Sequence, residues 1–137
     1  MKKALFASLL VLAAALHANA LIKTKAVEYK DGDVVLQGWA AWEDGFKDAR
    51  PGVLVVHEWK GHGPYARKRA EQLAKLGFTA FAVDMYGKGV YAKDHEEAGK
   101  LAGAFFGDRA AMRRRALAGL EQLKKLPFVE QDKLGAI

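Results

Sequence analysis

The sequence contains no cysteine. No disulfide framework can hold this domain together, and no residue in it can serve as a thiol nucleophile. Proline is scarce, at three residues, and no apolar run reaches the roughly 20 residues needed to span a bilayer. A zinc-binding helix is missing too. His57, Glu58 and His62 form H-E-x-x-x-H, one residue longer than H-E-x-x-H, and Gly61 and Gly63 break any helix there. No metal site is therefore expected. Gly87-Lys88-Gly89 lacks both the third glycine of G-x-G-x-x-G and the Ser/Thr of a P-loop, which argues against a nucleotide cofactor. The basic excess is modest, +6, and spread over the chain. Its one tight run, Arg113-Arg114-Arg115, has no aromatic residues interleaved for base stacking, so it reads as a solvated helix face and not a nucleic-acid surface.

What remains is enough for one globular domain: 137 residues, 51% of them hydrophobic. The N-terminus reads as a signal peptide over residues 1–20. Met1-Lys2-Lys3 is the positive region, Ala4–Leu16 the apolar one, and Ala18-Asn19-Ala20 the small-x-small cleavage site. The expectation is export to the periplasm or exterior with cleavage after Ala20, and no stable membrane anchor. Losing Lys2 and Lys3 would lower the charge from +6 by two, to +4.

Residues 21–137 then alternate strands and helices. Val27–Tyr29 and Val34–Trp42 are β-rich and flank Asp31-Gly32-Asp33, a hairpin signal. Val53–Val56 is a continuous aliphatic run, the pattern of a strand covered on both faces. Pro64 suits the first position of a helix in which Ala66, Ala70, Leu73 and Ala74 share one face, and Gly77 stops it. Phe78–Val83 is a second buried strand, ending at Asp84. Lys93–Phe106 reads as a helix. Asp108 caps another, with Met112, Ala116, Leu120 and Leu123 as its apolar stripe, closed by Pro127. Leu134–Ile137 looks like the beginning of a further buried strand. The order β-β-β-α-β-α-α-β predicts an α/β fold, a mixed and mostly parallel sheet with helices on both faces.

Chemistry concentrates where Val53–Val56 ends in His57-Glu58-Trp59. Ligands of open α/β sheets bind in the crevice at the carboxyl ends of the strands. A Glu58 carboxylate flanked by Val55, Val56 and Trp59 would be partly desolvated and its pKa raised, which suits a group that takes a proton from a nucleophile. Spacing alone equally allows Glu58 to cap the helix at Pro64 or to pair with Arg67.

Several segments together resemble the dienelactone hydrolase family of α/β-hydrolases. They are V-L-V-V-H-E-W-x-G (Val53–Gly61), Y-A-R-x-R-A-x-x-L-A-x-x-G-F (Tyr65–Phe78), A-x-D-M-Y-G-K-G (Ala82–Gly89) and D-H-E-E-A-G-K-L (Asp94–Leu101). The resemblance runs from about Ala26 to the last residue, and H-E-W-x-G is its most specific part. It implies the N-terminal half of that fold, with Leu134–Ile137 leading toward a G-[YF]-C-x-G-G nucleophile elbow beyond residue 137. The nucleophile, expected to be cysteine, and its Asp and His partners would then lie outside this sequence. Glu58 matches the glutamate that activates the thiol, the backbone N–H of Trp59 the first oxyanion donor, and Lys88 a substrate-binding position where some members carry arginine. Lys60 and His62 depart from H-E-W-W-G-L, and Lys88 cannot form arginine's bidentate fork.

The function this implies is hydrolysis of an ester or lactone, a small-molecule substrate, through a Cys-His-Asp triad beyond residue 137, with no cofactor. Two other readings stay open: a small exported ligand-binding domain whose crevice lies above Glu58 and Lys88, and an α/β-hydrolase relative without its nucleophile.

Overall fold

A computed structural model describes residues 21–45 and 47–137; the signal segment read at residues 1–20 lies outside them. β1 (Ile22–Asp31) and β2 (Val34–Glu43) form an antiparallel hairpin, in register from Ile22↔Glu43 to Asp31↔Val34. Gly32 takes a positive φ at the first turn position, where the two-residue hairpins that match strand twist place glycine. β3 (Arg50–Val56), α1 (Pro64–Lys75), β4 (Thr79–Val83), α2 (His95–Gly107), α3 (Arg109–Lys124) and β5 (Val129–Ala136) follow. The sheet order is β1-β2-β4-β3-β5. β2 meets β4 antiparallel, whereas β3 runs parallel to both β4 and β5.

Strand alternation sends the two faces to different helices. Leu54, Phe81 and Val83 join Tyr29, Leu36 and Leu123 under α3. Val55, Ala80, Ala82 and Ala41 meet Ala66, Ala70 and Ala74 of α1, three alanines spaced four apart on one stripe. With alanine on both sides, the α1 backbone lies close to the sheet. On the other face α3 approaches through Gly119, where a Cβ would fall 2.3 Å from Val83 Cγ2. α1 ends in a Schellman motif. Phe78 N–H reaches the Leu73 carbonyl at 3.2 Å and Gly77 N–H the Ala74 carbonyl at 3.0 Å, with Gly77 at positive φ.

The strand read as Leu134–Ile137 begins earlier and is less buried than its sequence suggests. β5 pairs Arg50↔Val129 and Pro51↔Glu130, then resumes at Gly52↔Leu134. Pro51 has no N–H to give the ladder, and residues 131–133 bulge out opposite it. Gln131 uses the bulge to reach the Lys124 carbonyl at the end of α3, at 2.8 Å. Among the described residues β5 has a partner on one side only, which leaves Gly135, Ala136 and Ile137 exposed. The ladder nevertheless continues to its last residue: Ile137 N–H binds the Leu54 carbonyl and Val56 N–H the Ile137 carbonyl.

Candidate functional site

The parallel pairing Val56↔Val83 brings the carboxyl ends of β3 and β4 to the same sheet edge. The turn after β4 is fixed by Asp84, which is 1% exposed. Its carboxylate accepts three backbone N–H groups, from Gln37, Tyr86 and Gly87, each at 3.0 Å. From α3, Arg115 donates to the carbonyls of Met85 and Tyr86 while its Nε binds Asp31 at 2.9 Å.

The segment after β3 is tied to that turn through His57. Met85 N–H donates to His57 Nε2 at 3.1 Å, so Nε2 is an acceptor and Nδ1 carries the proton. Nδ1–H then donates to the Glu58 carbonyl at 2.7 Å. Burial pushes the His57 pKa down, which favours this neutral form. Gly61 N–H binds the same carbonyl at 3.1 Å, closing a turn. One peptide further on, Tyr86 Oη donates to the Trp59 carbonyl at 2.9 Å. The Trp59 ring stacks on His95, the first residue of α2, at 5.2 Å. Among the described residues the Trp59 N–H has no hydrogen-bond partner.

Glu58 is exposed, not desolvated as its apolar sequence neighbours suggested. Val55 packs into the sheet, while Val56 and Trp59 are themselves open to solvent, so none of the three covers the carboxylate. Neither structural account of Glu58 holds. α1 has Gly63 as its N-cap, with no side-chain cap, and Arg67 lies over the Trp39 ring at 5.2 Å. Glu58 instead lines two adjoining clefts of about 170 and 140 Å³. Val56, Arg69 and Ile137 line the first, Trp59, Lys60 and Tyr91 the second, and Tyr65 both.

Lys88 is not part of this arrangement. Its ammonium pairs with Glu28 on β1, its N–H binds the Val35 carbonyl at 2.9 Å, and it lines neither cleft. The cations at the clefts are Arg69 and Lys60. His57 and His62 do not converge on a metal position. Both His57 nitrogens are committed, and His62 lines a separate cavity of about 300 Å³ with Arg67, Asp84 and Gln37. There the His62 Nε2 is buried without a partner among the described residues, and burial together with the Arg67 charge holds its pKa down to about 4. The roles of His57, Tyr86 and Arg115 were not anticipated, and Arg115, read with its neighbours as part of a solvated helix face, is largely buried against Asp31 and the turn after β4. Histidine directly at a strand end was the available signal for the first.

A five-stranded mixed sheet flanked by helices, with its cleft at the carboxyl ends of parallel strands, defines an α/β-hydrolase fold. The pattern of the dienelactone hydrolase family matches residues 37–137, and the chain belongs to that family. A protein of Aquifex aeolicus (strain VF5) whose given name proposes a carboxymethylenebutenolidase is 36% identical over 113 residues, 80% of this chain and 47% of that one. Among solved structures, m3DLH has a TM-score of 0.80 at 37% identity, covering 84% of this chain and 48% of that one. A dienelactone hydrolase-like promiscuous phosphotriesterase from metagenomic libraries has a TM-score of 0.79, also at 37% identity, over 86% of this chain and 48% of that one. The chain thus spans about half the length of the curated relatives it matches.

Proposed function

We propose that the cleft at Glu58 and Trp59 is one side of the active site of a carboxylic ester or lactone hydrolase, completed by residues beyond position 137. The observation that carries this reading is a carboxylate and a backbone N–H side by side at the carboxyl end of β3, neither with a hydrogen-bond partner among the described residues. Family membership supports hydrolysis, and the name of the Aquifex aeolicus relative supports lactones as the substrate class.

In this reaction a cysteine thiol from the remainder of the protein loses its proton toward Glu58, and the thiolate attacks the carbonyl carbon. The oxyanion that forms takes the Trp59 N–H as one donor, and a second comes from the nucleophile's own turn. Collapse expels the alkoxide, which a histidinium held by an aspartate protonates; the neutral histidine then takes a proton from water as its oxygen attacks the thioester, and the released thiolate recovers its proton from Glu58 as the acid departs. Lys88 pairs with Glu28 and lines neither cleft, so this reading gives it no role in binding. Residues 1–20 direct the protein out of the cytoplasm, and N-terminal sequencing of the mature protein should begin at Leu21.

The test is turnover of p-nitrophenyl acetate and an unsaturated lactone by the full-length protein and its Glu58→Gln variant. Loss of turnover in the variant with an unchanged melting profile supports the reading. Absence of hydrolysis in the parent protein overturns it.

A further inference from the structure

We propose that His57 is a positioning residue: by donating Nδ1–H to the Glu58 carbonyl it fixes the direction in which the Trp59 N–H points. The inference rests on the reading of that N–H as an oxyanion donor. A trans peptide is planar, so the C=O and N–H of the Glu58–Trp59 unit point in opposite directions. Whatever holds one aims the other. The Glu58 oxygen is held twice, by His57 Nδ1 at 2.7 Å and by Gly61 N–H at 3.1 Å, which occupies both lone pairs of a carbonyl oxygen. The peptide cannot rotate without losing both bonds. Its N–H is left pointing away from them, with no partner of its own among the described residues.

His57 is itself held. Met85 N–H fills Nε2 at 3.1 Å, which assigns the proton to Nδ1, and the ring meets Tyr86 edge-on at 4.8 Å. Tyr86 Oη restrains the next peptide through the Trp59 carbonyl. An imidazolium would carry a proton on Nε2 and lose the Met85 bond, so the clamp requires the neutral ring. Donation to the Glu58 oxygen also polarises the peptide, which makes the Trp59 N–H a better donor. A donor fixed before the reaction needs no reorganisation when charge develops, the condition under which such groups contribute most.

The test has two parts. In the full-length protein, long-range proton–nitrogen NMR of His57 should show a protonated Nδ1 and an unprotonated Nε2. In His57→Phe the Trp59 amide resonance should move and its hydrogen exchange change. A proton on Nε2, or a Trp59 amide unmoved in His57→Phe, overturns the proposal without reference to activity. In the full-length protein, His57→Phe should lower kcat by about 10- to 100-fold with KM within about twofold, because an oxyanion donor acts only in the transition state. His57→Asn, which keeps a donor near the Nδ1 position, should recover part of the loss. A His57→Phe enzyme with full kcat beside an inactive Glu58→Gln enzyme refutes the role of His57 alone. Full activity in both variants refutes the hydrolase reading of this cleft.

Discussion

Tyr29 and Asp84 exchange hydrogen bonds across 55 positions of sequence. The Tyr29 hydroxyl accepts the Asp84 backbone N–H at 3.2 Å and donates to the Asp84 carbonyl at 3.4 Å. Edge strand β1 is thereby joined to the turn that carries Met85 and Tyr86, the partners of the segment after β3. Burial pushes the phenol's pKa up, so the hydroxyl stays protonated and keeps both roles.

Tyr29→Phe removes one oxygen from a buried position and leaves the Asp84 N–H without its acceptor. The expected loss is about 1–3 kcal/mol, the desolvation cost of an unsatisfied buried group. Urea unfolding of the variant against the parent checks it. An unchanged midpoint would mean that water replaces the hydroxyl.

Gly119→Ala should destabilise the chain even though alanine is the better helix former. The new Cβ would sit 2.3 Å from Val83 Cγ2, and relieving that clash costs about 1–3 kcal/mol against a propensity gain of about 1 kcal/mol. Val83→Ala removes the 2.3 Å contact and leaves the milder one to the residue 83 Cβ, at 2.9 Å. The double variant should lose less stability than the two single variants combined, and thermal melts of all four proteins would show the coupling.

In the full-length protein, Glu58→Gln should lower kcat/KM by roughly 10²–10⁴, the range for a positioned acid–base group. Its melting temperature should hold, because Glu58 is exposed and makes no ion pair among the described residues. Steady-state kinetics and calorimetry on one preparation test both halves.

Stability should fall as pH drops from about 6.5 toward 4. His62 has its folded pKa depressed from 6.5 to about 4, so in that window the unfolded chain binds a proton that the folded chain refuses. The contribution is therefore fully present above pH 6.5 and lost on the way down. His57, shifted in the same direction by burial, adds to the slope, while the Asp84 charge near both rings partly offsets it. Denaturation midpoints of His62→Gln against pH should show a shallower acid limb than the parent.

Much of the frame is legible in the residues because periodicity reports burial. Residues 53–56 and 79–83 are buried nearly throughout and read as apolar runs, and Asp108 caps α3 through Ala111 N–H as its position implied. α2 starts at His95 and not Lys93, because Asp94 takes the capping role. β1 begins at Ile22; it is an edge strand, and Lys23 and Lys25 share the face of Val27 and Tyr29, which blurs the alternation. The first half of β5, Val-Glu-Gln-Asp-Lys, is polar for the same reason. The site divides along similar lines. Glu58 and Trp59 follow from their place at the end of β3. The ion pair of Lys88 was not legible because Glu28 lies 60 residues away on a strand whose position only the sheet order reveals. The role of His57 depends on which nitrogen bears its proton, and that is set by Met85, 28 residues away.

β3 lies between β4 and β5, yet about 70 residues separate its end from the start of β5. At 5–20 residues per second, a ribosome releases β3 roughly 4–14 s before its second neighbour exists. Throughout that interval one edge of an apolar strand stands open, the condition that invites pairing with other chains. The bond from Val56 N–H to the Ile137 carbonyl, which closes the strand just before His57, cannot form until residue 137 has emerged. Newly made protein should therefore depend on a holding chaperone until β5 emerges, and translation slowed between β4 and β5 should raise the aggregated fraction.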